Sequence, residues 1–162
     1  MIPRTLAPTL LRLAKGFPIL TLTGPRQSGK TTLCKATFPH LTYVSLEAPD
    51  TRRYAREDPR GFLSSLASGA ILDEIQRAPE LTSYLQVMVD EDPSPGRFVL
   101  TGSEHLSLTA ATSQSLAGRT AVVHLLPLDQ AELRAAGHED DDLLTRLWRG
   151  GYPALYDRDV EV

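Results

Sequence analysis

The chain has 162 residues, 41% hydrophobic and 23% charged, with a formal net charge of −3. That length and balance suit one globular domain, or one domain with a short extension, and no apolar run approaches the ~18 residues of a transmembrane helix. The net charge gives no global attraction for nucleic acid or an anionic membrane, and the single cysteine, Cys34, excludes an internal disulfide or a four-cysteine zinc site. The N-terminal segment carries a Leu6, Leu10, Leu13 stripe flanked by Arg4, Arg12 and Lys15, which predicts a helix packed on the domain it precedes. It lacks the long apolar region and cleavage site of a signal peptide, so a cytoplasmic location is expected.

Apolar runs then recur at Ile19–Thr23, Leu41–Leu46, Ala70–Leu72, Arg97–Thr101 and Thr120–Leu126. Helical candidates fall between and after them: Lys30–Phe38, Asp50–Ala67 broken near Pro59, Ala78–Val89, Leu106–Leu116 and Asp129–Ala136. Short apolar strands alternating with helices predict a mainly parallel sheet covered on both faces. The sequence Glu91–Gly96 reads as a turn, Cys34 as a small buried hydrophobe, and the acidic run Glu139–Asp142 as a solvated linker or helix start. Three regions follow: an N-terminal helix (1–16), an α/β core (17–137) and an extension (138–162). The extension reads as the start of a further element, so a longer parent protein is expected.

The segment Gly24, Pro25, Arg26, Gln27, Ser28, Gly29, Lys30, Thr31 fits G-x-x-x-x-G-K-[ST] without a gap, and Thr32 follows it into the helix. Its glycines let backbone N–H groups converge on phosphate oxygens. Lys30 is placed to reach the β- and γ-phosphates, and the Thr31 hydroxyl to ligate Mg²⁺. Strand before and helix after are the context a P-loop needs; the bland alternative is a glycine turn opening an ordinary helix. Lysine is scarce here, three against fourteen arginines, so one at this position is informative.

Downstream, Ala70-Ile-Leu is followed by Asp73 and Glu74, the apolar-strand-then-acid pattern of a Walker B motif. Asp73 would hold Mg²⁺ through water opposite Thr31, and Glu74 would polarise an attacking water. Alone, the same pair could simply open the turn before Pro79. In FVLTGS, Thr101 and Ser103 are candidates for a polar residue that positions water and γ-phosphate. Ser103 is favoured as lying just past the strand; a polar turn is the alternative. Arg119, just before the fifth strand, is either an arginine that stabilises transition-state charge or a routine helix-dipole partner. Arg26, inside the loop, could also reach phosphate, but it is expected to face solvent or a neighbouring carboxylate.

GPRQSGKTTL, ILDEIQRAPEL, FVLTGSEHLSL, SLAGRT followed by LLPL, and RGGYPAL together resemble a prokaryotic family of AAA-type ATPases. In that family an N-terminal ATP-binding domain precedes a C-terminal region of nuclease-like fold. The resemblance covers nearly the whole chain in order. It implies a three-layer α/β P-loop fold with five parallel strands in the order 5-1-4-3-2. It also implies Walker B residues Asp73 and Glu74, a sensor at Ser103, and Arg119 as an arginine finger acting between subunits of a homo-oligomer. The chain departs from the wider pattern in having no helical lid with a second sensor arginine.

ATP and Mg²⁺ are therefore the expected ligands, with Mg²⁺ at Thr31 and Asp73. The two leading functions are a Mg²⁺-dependent ATPase driving conformational change in an attached domain or partner, and a nucleotide-dependent switch that turns over negligibly. A small-molecule kinase would need a basic lid, whereas Arg52, Arg53, Arg56 and Arg60 read as a solvated helix face. The chain has no asparagine, so it cannot contain the guanine-reading N-K-x-D motif, and it has no transporter-type LSGGQ signature. A protein or nucleic-acid partner is expected but unidentified, and no membrane association is expected.

Overall fold

The computed structural model describes residues 2–103, 116–138 and 142–157. In chain order the elements are α1 (Ala7–Leu13), β1 (Ile19–Gly24), α2 (Lys30–Thr37), β2 (Thr42–Ser45), α3 (Pro49–Glu57), α4 (Pro59–Ser64) and β3 (Ala70–Asp73). A 3-10 turn (Ile75–Arg77) leads to α5 (Leu81–Glu91), β4 (Phe98–Ser103) and β5 (Thr120–His124). Three short helices follow: α6 (Gln130–Ala135), α7 (Leu143–Arg149) and α8 (Ala154–Asp157).

The five strands form one parallel sheet in the order β2-β3-β4-β1-β5, which is the expected 5-1-4-3-2 read from the other edge. Alternation along the strands divides the core in two. Ile19, Ala70, Leu72, Phe98 and Leu100 pack with Ala55, Phe62, Leu63, Leu81 and Leu85 of α3–α5. Leu20, Leu22, Ile71 and Val99 face the other way, against Leu10 of α1 and Leu33 and Cys34 of α2. Burial on both faces is why these strands read as continuous apolar runs. Cys34 is fully buried, and that burial pushes its thiol up to about 12.

Boundaries differ from the sequence expectation where backbone bonding overrides composition. The predicted break near Pro59 is real: Asp58 ends α3 and caps α4, its carboxylate accepting from Gly61 N at 2.9 Å. Helix α5 begins at Leu81 rather than Ala78 because Ala78, which closes the 3-10 turn ahead of Pro79, has non-helical backbone at φ −142° and ψ +65°. Strand β4 continues past Thr101, pairing Gly102 with Thr23 and Ser103 with Gly24, so Ser103 is the last residue of the strand rather than one beyond it. The predicted helix Leu106–Leu116 and the acidic run Glu139–Asp142 lie largely outside the described residues. Among those described, no helix is long and apolar enough to cross a membrane.

The C-terminal segment folds back onto the core. Leu128 N donates to Gly151 O at 2.7 Å, and a Cβ on Gly151 would lie 2.6 Å from Leu128 O, so only glycine permits this approach. The contact brings Pro153 to the P-loop, with its ring close to the position a Cβ on Gly29 would take.

Candidate nucleotide-binding site

All parallel strands present their C-terminal ends to one edge, where ligands of open α/β sheets bind. Strand β1 delivers Gly24 there at φ +148°, with Leu125 O only 2.2 Å from any Cβ it could carry. The loop turns through Gln27 (φ +62°) and Gly29 (φ +93°) into the first turn of α2. Lys30, 6% exposed, donates from Nζ to Gly24 O at 2.9 Å and to Pro25 O at 2.7 Å. An ammonium has three protons, so one remains for an anion. Burial lowers the Lys30 pKa from 10.5, and the nearby Glu74 and Asp73 carboxylates oppose the shift.

The Walker B acids meet this loop as the spacing predicted. Thr31 Oγ1 lies 3.0 Å from both carboxylate oxygens of Asp73. Tyr43 of β2 donates its hydroxyl to Asp73 Oδ2 at 2.9 Å, and the Thr101 hydroxyl donates to Asp73 Oδ1. Burial, and then this bond to Asp73, raises the Tyr43 pKa. Three hydroxyls thus converge on one carboxylate whose neighbour, Thr31, is itself a hard oxygen donor. Such an all-oxygen set fits Mg²⁺, which typically takes one or two carboxylates and keeps several waters and phosphate oxygens. Among the described residues no cluster of three or more His, Cys, Asp or Glu offers an alternative metal site.

Glu74 follows in the left-handed region, at φ +60°, and its amide donates to Thr101 Oγ1 at 3.4 Å. A non-glycine residue there costs of order 1–3 kcal/mol, and such residues cluster at functional sites. Its carboxylate accepts from Gln76 Nε2, which also donates to Ser103 Oγ at 3.0 Å. Arg26, Gln27, Gly29, Lys30, Thr31, Thr32, Glu47 and Glu74 line an open cleft of about 590 Å³, with Pro153 and Ala154 closing one side. That is the size of an ordinary ligand pocket.

The structure brings together every P-loop residue, Asp73, Glu74 and both hydroxyl candidates, Thr101 and Ser103. It does not bring Arg119 to them. Ile19 N donates to Arg119 O at the opposite end of β1, five residues or roughly 17 Å from Gly24. There the guanidinium forms a two-point pair with Asp90 of α5, at 2.5 and 2.8 Å. Arg26 is exposed beside the cleft. The arginines read as a helix face behave as one: Arg53 pairs with Asp50 and Arg56 with Glu80, each at 3.2 Å.

Three contributors escaped the sequence reading. Arg4 donates to Ser28 O at 2.7 Å and to Leu126 O at 2.6 Å, and its Nε lies 3.0 Å from Glu132 Oε1. Glu132 also accepts from Thr5 N at 2.8 Å and from Asp129 N at 3.1 Å. Burial opposes its charge, but these amides and Arg4 outweigh burial and hold its carboxyl below the usual range. The Asp129-x-x-Glu132 capping box was readable as a helix start; nothing in the sequence marked Arg4 as its partner. Tyr43 and Gln76 carried no motif either. A small apolar pocket lined by Ile2, Arg4, Leu33, Leu128 and Pro153 adjoins the cleft at Gly29 and Thr32.

A strand, glycine-rich loop and helix facing an acidic strand define a P-loop nucleotide-binding domain. A family model described as AAA domain matches residues 16–134, and the chain belongs to that family of AAA-type ATPases. Uncharacterized proteins of Mycobacterium bovis and Mycobacterium tuberculosis are each 40% identical over 157 residues. The match takes in 94% of this chain but only 34% of those relatives, so the chain spans about a third of their length. Among solved structures it is similar in fold to a Walker-type ATPase of Pyrococcus abyssi (TM-score 0.61, 16% identity, 94% of this chain and 65% of that one). It is also similar to AMPPCP-bound DnaA from Aquifex aeolicus (TM-score 0.61, 15% identity, 94% and 57%).

Proposed function

We propose that this chain binds ATP with Mg²⁺ and hydrolyses it, using the change to move an attached region or partner. The convergence of Lys30, Thr31, Asp73 and Glu74 on one open cleft supports this reading most. Loop amides and the spare Lys30 proton would hold the phosphates, and Thr31 and Asp73 would hold Mg²⁺, which neutralises charge building on them. Glu74 would accept a proton from water as the water oxygen bonds to the γ-phosphorus and the bond to the ADP oxygen breaks. Ser103, in β4 beside the loop, would donate its hydroxyl to a γ-phosphate oxygen.

The position of Arg119 favours a second reading for the isolated chain, a nucleotide-dependent switch with negligible turnover. An arginine finger at the far end of the sheet can only serve a neighbouring copy's cleft. Turnover measured against protein concentration separates the two: negligible turnover at every concentration supports the switch, whereas specific activity rising with concentration indicates an ATPase site shared in a homo-oligomer, and flat activity a self-contained one. The proposed partner is a protein or nucleic acid engaged by a longer protein in the cytoplasm, in keeping with the nuclease-like region that the family resemblance implies. Salt-dependent binding of DNA to that longer protein tests the nucleic-acid arm, and no binding at low salt rejects it.

The decisive variant is Glu74→Gln. It should keep ATP affinity and lose steady-state phosphate release; unchanged turnover would remove Glu74 from the mechanism.

A further inference from the structure

We propose that Gln76 is a positioning residue that couples Ser103 to Glu74, so that capture of a γ-phosphate by Ser103 sets the carboxylate for its proton transfer. The inference rests on the hydrolysis reading above. Its basis is one side-chain amide that bonds to two candidate groups at once. Gln76 Nε2 donates both to the Glu74 carboxylate and, at 3.0 Å, to Ser103 Oγ. The orientation of the amide is fixed by chemistry: an ionised carboxylate has no proton to give, so the NH₂ end must face Glu74.

Each partner keeps capacity for a ligand. Ser103 accepts from Gln76, which leaves its own O–H proton for a phosphate oxygen. Glu74 meets the amide through Oε2, which leaves Oε1 to accept a proton from water. Gln76 Oε1 is buried and accepts no hydrogen bond from the described residues. The backbone keeps the three groups in register. Ser103 ends β4, while Glu74, held at φ +60°, starts the turn Ile75–Arg77 that carries Gln76 back toward it. A substituent that merely filled space at residue 76 could not link the two, because the link is a pair of N–H bonds from a single nitrogen.

The test measures ATP affinity and steady-state turnover for the wild type, Gln76→Leu, Ser103→Ala and the double variant, with Gln76→Met as a second, unbranched replacement. Removing the amide should lower kcat about ten- to hundredfold, the cost of a misplaced catalytic group, with KM and ATP affinity within twofold. The double variant should be no slower than the slower single one, because both changes break the same link. Wild-type kcat in both Gln76→Leu and Gln76→Met overturns the proposal, as does a double variant whose losses multiply. A wild-type chain that binds ATP without turnover instead overturns the hydrolysis reading, and the coupling with it.

Discussion

Two charged clusters meet the P-loop, and they are finished in different ways. Arg4 and Glu132 are closed: their side chains are 8% and 3% exposed, they pair with each other, and they bond to Ser28, Leu126, Thr5 and Asp129. Lys30, Asp73 and Glu74 line an open cleft, where Lys30 has a proton to spare and Glu74 is bonded on one oxygen. Charge paired and bonded inside the protein fixes the loop's shape. Charge left with capacity toward solvent is what a phosphate, a metal ion or a water can use.

That contrast breaks if the two clusters respond alike to substitution. The largest effect is expected at Glu74→Gln, with phosphate release reduced by about 10²- to 10⁴-fold and unfolding free energy nearly unchanged. The opposite profile is expected at Glu132→Ala. Stranding the Arg4 guanidinium should lower unfolding free energy by about 3–5 kcal/mol in a denaturant titration, with any loss of turnover following from loop disorder. A Glu132→Ala protein as stable as wild type would show that the closed cluster does not hold the loop.

A pH series sharpens the same difference. The folded-state pKa of Glu132 is depressed below its ordinary 4.5, so its stabilisation is complete above that value and is lost as pH falls through the folded-state value. Wild type should therefore lose thermal stability below about pH 4.5 more steeply than Glu132→Gln, which has no carboxyl to protonate there. Parallel curves would contradict the pairing. The smallest effect is expected at Arg119→Ala. Its pair with Asp90 lies at the surface, so ATP affinity and stability should hardly change, and only the concentration dependence of turnover should disappear.

The open cluster was legible in the sequence and the closed one was not, for a physical reason. Phosphate binding constrains adjacent residues, so the Gly24–Thr31 loop and the Asp73-Glu74 pair appear as contiguous motifs. The parallel sheet was equally legible, because Ile19–Leu22 and Phe98–Leu100 are buried on both faces. Arg4 and Glu132 lie 128 positions apart, and only the fold joins them. Tyr43 reaches Asp73 from the neighbouring strand, which no local pattern records. Ser103 was placed just past a strand assumed to stop at Thr101, whereas pairing with Thr23 and Gly24 carries β4 on through it.

Calorimetric titration of ATP with Mg²⁺ into the wild type and into Lys30→Ala tests the nucleotide-site assignment most directly. Saturable one-site binding by the wild type, lost or weakened at least tenfold in Lys30→Ala, is the expected result. Equal affinity in the two proteins, or no binding by the wild type, would contradict it.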